Sequence, residues 1–109
     1  MDDDYQYAGK LSEFEEGNIV KSAVTGVAVA SIGGKICAFT DFCTHEAVSF
    51  TGGYGVIFEN YVICMLHTSV FDPETGESTQ GPAYDPLGIF DVKVEGEDVY
   101  VARTRRNGK

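Results

Sequence analysis

The sequence predicts an all-β fold, an antiparallel sandwich or barrel, and three observations carry that reading. Thirteen scattered glycines cut the chain into short segments. No apolar helical period lasts beyond about two turns. Short runs of alternating apolar and polar residues recur between Gly, Asn and Asp, the pattern of strands joined by tight turns. In chain order, residues 11–16 have room for one short turn at most. Residues 18–24 are the first expected strand. Residues 26–32 alternate Val27, Val29 and Ser31 against small alanines. Gly33-Gly34 is then a two-residue hairpin signal. Residues 35–40 return with Ile36, Ala38 and Thr40 on one face and Cys37 and Phe39 on the other. Residues 56–59 and 61–65 flank Asn60, a tight-turn residue. Residues 89–94 and 98–103 flank Glu95-Gly96-Glu97, a second hairpin. No repeat or linker interrupts the chain, and residues 103–109 read as a flexible tail.

At 109 residues there is room for one domain. Folding a chain of this size buries roughly two-thirds of the surface its unfolded form exposes, enough for a core without staples. The chain is 43% hydrophobic and 23% charged, which is ordinary globular usage and excludes general disorder or a fibrous repeat. Seventeen acids against eight Lys and Arg give a net charge of -9. That balance argues against nucleic acid and anionic membrane as partners, since both need cationic surface. The start Met1-Asp2-Asp3-Asp4 is unlike a signal peptide. No stretch approaches the ~18 apolar residues of a membrane span, and the expected location is the cytoplasm. Charge is also unevenly placed. Between Lys35 and Lys93 there is no Lys or Arg, while Asp41, Glu46, Glu59, Asp72, Glu74, Glu77, Asp85 and Asp91 all fall there. The middle of the chain is therefore anionic, either as a solvated surface or as a docking face.

The chemistry lies in one constellation. Both histidines neighbour cysteines, in Cys43-Thr44-His45 and in Cys64-Met65-Leu66-His67. Eighteen residues separate His45 from Cys64, enough for a strand out and a strand back. Each pair then sits at a loop tip, and two tips at one sheet edge can converge. Thiolate and imidazole are soft to borderline ligands, suited to zinc or to an iron–sulfur cluster. Three cysteines are too few for a secreted disulfide framework, and at this spacing they point to metal. The alternative is two core cysteines beside two surface histidines. Zinc fingers run Cys, Cys, His, His, whereas the order here is Cys, His, Cys, His. Mononuclear zinc accepts two Cys and two His in tetrahedral geometry, so the ligands alone leave zinc open.

The order and spacing resemble those of Rieske [2Fe–2S] proteins, in which two His replace two Cys on one iron. Other segments agree: Phe71-Asp72 and Thr75-Gly76 after His67, Gly81-Pro82-Ala83 in the position of the family's proline loop, Pro86-Leu87 followed by Phe90, Val92 and Val94, and upstream Glu15-Glu16-Gly17 and Gly33-Gly34-Lys35. The resemblance spans roughly residues 8–102. It implies a Rieske-type antiparallel β sandwich or barrel over residues 1–109, with a small cluster-binding subdomain, about 41–84, at one end. Respiratory members carry an extra Cys after each ligand pair; the matching positions here are Val48 and Leu66. The chain is thus similar to the soluble Rieske-type ferredoxins that serve ring-hydroxylating oxygenases. Thr68-Ser69 stands where such ferredoxins often have small residues such as Gly. Ser69 matches a respiratory Ser that bonds a cluster sulfide, and Phe71 replaces a respiratory Tyr and lacks its hydroxyl.

The resemblance implies that Cys43 and Cys64 hold one iron of a single [2Fe–2S] cluster and that His45 and His67 hold the other. Two thiolates leave the oxidised cluster neutral, where four would leave it a dianion. Reduction of a neutral site is easier, which places Rieske potentials at about -150 to +300 mV against roughly -400 mV for plant-type ferredoxins. Ser69, Phe71 and Pro82 are candidates for tuning and covering the cluster. The missing Tyr hydroxyl and the eight acids put the expected potential low in that window. Glu46 is the candidate docking residue for a basic partner. Cys37 is expected as a buried core thiol, and Phe39, Phe42, Phe50 and Tyr61 as core and loop packing. No catalytic residue is assigned. The implied function is a one-electron carrier, not itself an enzyme, between a reductase and an oxygenase or similar acceptor, with no small-molecule substrate. The alternatives are a Rieske small subunit of a larger oxidoreductase such as a nitrite reductase, and a zinc-stabilised interaction module. A self-contained oxygenase is excluded by length.

Overall fold

The computed structural model describes residues 4–43, 48–66, 68–80 and 86–106. The described strands are β1 (Tyr5–Lys10), β2 (Ile19–Lys21), β3 (Val27–Ile32), β4 (Lys35–Thr40), β5 (Gly55–Phe58), β6 (Tyr61–Cys64), β7 (Ser69–Phe71), β8 (Ser78–Gln80), β9 (Ile89–Phe90), β10 (Val92–Glu95) and β11 (Asp98–Ala102). They form three antiparallel sheets, ordered β1-β11-β10, β2-β3-β4-β9 and β5-β6-β7-β8. The all-β reading holds.

Every residue of β3 is buried, because its sheet lies between two cores. Val27 and Val29 point into one, with Ala8, Phe14, Ala38, Val99 and Val101. Ala28, Ala30 and Ile32 point into the other, with Phe39, Phe50, Val62 and Phe71. The alternation read in 35–40 follows the same division: Cys37 and Phe39 face the second core, Ala38 and Ile36 the first. Alanines opposite phenylalanines are what a strand squeezed from both sides requires, since interiors are close-packed.

Gly33 and Gly34 form the expected two-residue turn, with φ of 62° and 81° between the paired Ile32 and Lys35. Glu59 and Asn60 do the same between Phe58 and Tyr61, with φ of 49° and 71°. The run 89–94, read as one strand, is two. Ile89–Phe90 pairs with β4, and Val92–Glu95 pairs with β11. The chain changes sheets at Asp91, and a single alternating pattern cannot reveal which neighbour each half takes. Strands β1, β7 and β8 were not foreseen. β7 and β8 are three residues long, too short to show a period, and β1 is broken by a bulge between Tyr7 and Gly9. Residues 103–106, expected as the start of a loose tail, are tied down. The Arg103 amide donates to the Asp4 carbonyl and the Arg106 amide to that of Ile89. The Arg106 guanidinium reaches Asp91 and the Glu74 carbonyl. Residues 107–109 lie outside the described residues.

Glu16 fastens the β3–β4 turn. Its carboxylate accepts from the amides of Gly33 (2.6 Å) and Gly34 (2.9 Å) and from the Ser31 hydroxyl (3.1 Å). The amides of Gly34 and Gly33 hold its pKa below the ordinary 4.5. A carboxylate lowered in the folded state adds stability above its unfolded pKa and loses it as pH falls through the lower folded value. Glu16→Gln is therefore expected to lower Tm at neutral pH and to flatten the loss of Tm with acidification just below pH 4.5. Thermal melts of both proteins across that range check it.

Candidate metal centre

The sheet β5-β6-β7-β8 and the loops around it carry the candidate ligands. Asp41 and Phe42 continue the chain past the end of β4, and Phe42 bridges to Ser49. The Cys43 amide donates to the Val48 carbonyl at 3.0 Å, so the first ligand loop is pinched at its base. Cys43 is 2% exposed. Residues 44–47, with His45 and Glu46, lie outside the described residues. Cys64 ends β6 and is 1% exposed. It is paired on one side with Gly55 and on the other with Ser69, while the Met65 amide donates to the Tyr54 carbonyl at 2.6 Å. His67 lies between, outside the described residues, as do 81–85 with Pro82.

Gly55 is required where it stands. A Cβ there would meet Phe50 at 2.6 Å, so only glycine lets that ring pack behind Cys64. Across the strand, Ser69 and Phe71 are fully buried and share the inward face of β7. Directly opposed residues of an antiparallel pair put their Cβ atoms about 4.5–5.5 Å apart. Ser69 therefore stands beside Cys64, and Phe71 beside Val62. Thr68 has φ of 58°, a left-handed conformation that is strained for a β-branched residue. Glycine would be free of that strain.

Cys43 and Cys64 belong to one buried cluster with Phe39, Phe50, Phe71 and Leu87. Neither is in a disulfide. Two cysteines outside any disulfide, one just past β4 and one at the end of β6, share one apolar core cluster and fit the thiolate half of a mixed Cys–His iron–sulfur site. Among the described residues no group of three or more metal-ligating side chains assembles; the remaining candidates, His45 and His67, are outside them. Cys37 lies in the same core, 7% exposed, and burial pushes its thiol pKa up. It is a core thiol, as the sequence implies. Val48 packs against the core and Leu66 is 41% exposed.

The aromatic expectations divide. Phe39 and Phe50 are core, whereas Phe42 (46% exposed) and Tyr61 (39%) are on the surface. Tyr61 belongs to an apolar outer face of the same sheet, where Phe58, Tyr61, Ile63, Met65 and Val70 line a groove of about 500 Å³. Alternation marks such residues as sharing a face but not which face meets solvent. The acids also divide. Asp41 is buried, Asp72 caps its own turn by accepting from the Glu74 and Thr75 amides, Glu74 pairs with Lys35, and Asp91 pairs with Arg106. Glu59 and Glu77 are exposed.

Residues 4–91 match the Rieske [2Fe-2S] domain. The chain is 33% identical over 96 residues to the 3-phenylpropionate/cinnamic acid dioxygenase ferredoxin subunit of Escherichia coli (strain K12), covering 87% of this chain and 90% of that one. The same subunit of Shigella flexneri serotype 5b (strain 8401) matches equally. Among solved structures, the fold superposes with a TM-score of 0.82 and 26% identity on a chain in the complex of reduced oxygenase and oxidized ferredoxin in carbazole 1,9a-dioxygenase. That match covers 98% of this chain and 100% of the other. The ferredoxin of carbazole 1,9a-dioxygenase from Nocardioides aromaticivorans IC177 gives 0.77 and 26%, over 90% and 96% of the two chains.

Proposed function

Because the chain belongs to the Rieske [2Fe-2S] domain family, we propose that Cys43, His45, Cys64 and His67 hold its cluster. The chain is an electron carrier of the kind that serves ring-hydroxylating oxygenases. A reductase is the proposed donor, and the cytoplasm the proposed setting. One observation carries the ligand assignment: two buried cysteines outside any disulfide, each followed within three residues of sequence by a histidine.

The bound cluster supplies a centre that takes up and returns one electron. The chain's own residues supply the rest. Cys43 and Cys64 hold their positions through the backbone, one by the Val48 carbonyl and one by the ladder of β5-β6-β7. Phe39, Phe50 and Phe71 keep water from the thiol side. Residues 41–84 are assigned as the cluster-binding lobe, with Pro82 as the candidate to cover the cluster. The surface near the ligand loops presents Phe42, Tyr54, Met65 and Leu66 without any Lys or Arg from residue 36 to 92. It suits a partner with an apolar centre and a basic rim, and Glu46 adds charge at the first loop. That steering reads out as a reduction rate that falls as salt rises.

Ser69, fully buried and paired with Cys64, would be a candidate hydrogen-bond donor to the cluster when it is bound. Ser69→Ala then lowers the potential by about 60 mV, taking ~1.4 kcal/mol for a hydrogen bond to a charged acceptor. Protein-film voltammetry measures the shift, and an unchanged potential removes the hydroxyl from the assignment. The function itself is tested by low-temperature EPR of the dithionite-reduced protein. A rhombic spin-one-half signal with the low average g of a mixed His–Cys cluster is expected. Fully metal-loaded protein without that signal refutes the electron carrier and leaves zinc.

A further inference from the structure

The outer face of the sheet β5-β6-β7-β8 departs from the pattern of a sheet with one solvated side. Such sheets alternate apolar residues inward with polar residues outward. Here the inward residues are buried, and the outward ones are apolar as well. Val56, Ile63 and Val70 oppose one another across three strands, and Phe58 opposes Tyr61. Phe58 is 62% exposed and Met65 53%, and both line the groove of about 500 Å³. Glu59 also lines it, and Glu77 stands exposed just before β8. No Lys or Arg occurs from residue 36 to 92. The face has two distinct ends. Met65 directly follows Cys64 in the second ligand pair, whereas Phe58 stands at the far hairpin, beside the Glu59-Asn60 turn.

We propose that this face anchors the carrier's electron acceptor, a protein that presents an apolar patch bordered by lysines and arginines. This rests on the function proposed above and extends the contact from the ligand loops along the whole sheet. Size argues for a transient occupant. Four strands of three or four residues make a footprint of about 14 by 14 Å, or about 200 Å². Stable interfaces take about 800 Å² from each partner, and electron-transfer encounters sit at the low end of the range. Charge argues against a second copy. Two copies laid face to face set Glu59 and Glu77 near their own kind, with no cation on the sheet to answer them. A basic rim answers both acids, and an apolar patch takes Phe58 and Met65 out of water. An acceptor seated along the face also has one edge at the Cys64–His67 segment, so anchoring and electron exit are neighbouring parts of one footprint.

The test uses reduced holoprotein and cytochrome c, a basic acceptor whose apolar haem edge is ringed by lysines. Stopped-flow absorbance gives the second-order rate constant for reduction of the cytochrome, which for the parent falls as salt rises. Phe58→Ser/Tyr61→Ser is expected to lower it about tenfold at every salt concentration, as loss of aromatic anchors does, with the EPR signal and the potential at parental values. Val94→Ser removes a side chain 44% exposed on β10, in another sheet, and is expected to leave the rate within about twofold. A parental rate in the double variant, or an equal loss in Val94→Ser, overturns the proposal. Should the double variant load no cluster, amide NMR of the oxidised parent titrated with oxidised cytochrome c decides. Shifts at Phe58, Tyr61 and Ile63 are expected, and shifts that pass those residues by overturn the proposal. Sedimentation of the parent alone tests for a second copy. A monomer is expected, and a dimer that Phe58→Ser disperses overturns the acceptor as occupant. A parent protein that shows no EPR signal or does not reduce cytochrome c refutes the electron carrier instead, so the two failures are distinguishable.

Discussion

Cys64→Ser yields a colourless protein with no EPR signal after reduction, while its far-UV circular dichroism stays that of a β protein. The loss is complete because an alcohol is a hard, weakly acidic ligand where iron–sulfur chemistry needs a thiolate. The fold survives because Cys64 contributes only a small side chain to one of two cores. The other core, built from Ala8, Phe14, Val27, Val29, Ala38, Val99 and Val101, does not touch it. Cys37→Ser is the internal control. It lies in the same core and is likewise buried, yet it is mid-strand in β4 with no histidine near it in sequence. Iron content at the parental level in Cys37→Ser and none in Cys64→Ser separates a ligand from a packed thiol. Iron retained by Cys64→Ser would remove Cys64 from the site.

The second large effect is on stability. Phe50 touches both Phe39 and Phe71 edge to face, with ring centroids 6.0 and 6.2 Å apart, and all three rings are 1% exposed or less. Phe50→Ala removes the middle of that stack. Large-to-small core changes at Phe cost about 3–5 kcal/mol, the lost transfer energy plus the cavity left behind. For a domain of this size the drop in Tm is at least about 12 °C. Relaxation cannot refill the hole easily, since Gly55 behind the ring offers no side chain to move in. Phe58→Ser, 62% exposed on the outer face, is the comparison and stays within about 0.5 kcal/mol of the parent. Thermal unfolding of the two variants side by side checks both numbers.

Much of the fold is legible from local chemistry. Gly33-Gly34 and Asn60 mark turns because few other residues accept positive φ, and the turns are there. The two faces of residues 35–40 are read correctly because strand periodicity is two. Partner choice is not legible. Ile89 and Val92 look like members of one strand, and only tertiary pairing assigns them to different sheets. The tie made by Arg106 escaped for the same reason: a basic tail looks solvated until Asp91 and the Glu74 carbonyl are placed beside it. At the site, Cys43 and Cys64 stand out by type and spacing, and the family match agrees with the chemistry that they announce. Asp41 does not stand out. It appears in the sequence as one of eight acids, and its partners at 49 and 51 follow no periodic rule.

The strand β3 lends one wall to two rooms. Its alanines answer to the pocket that holds both thiols, and its valines answer to the layer formed by the two chain ends. A side chain changed on one face of β3 alters the packing of one layer and leaves the contacts of the other in place. The partition between the thiol pocket and the layer of terminal strands is a single strand thick, and every residue of that strand is buried.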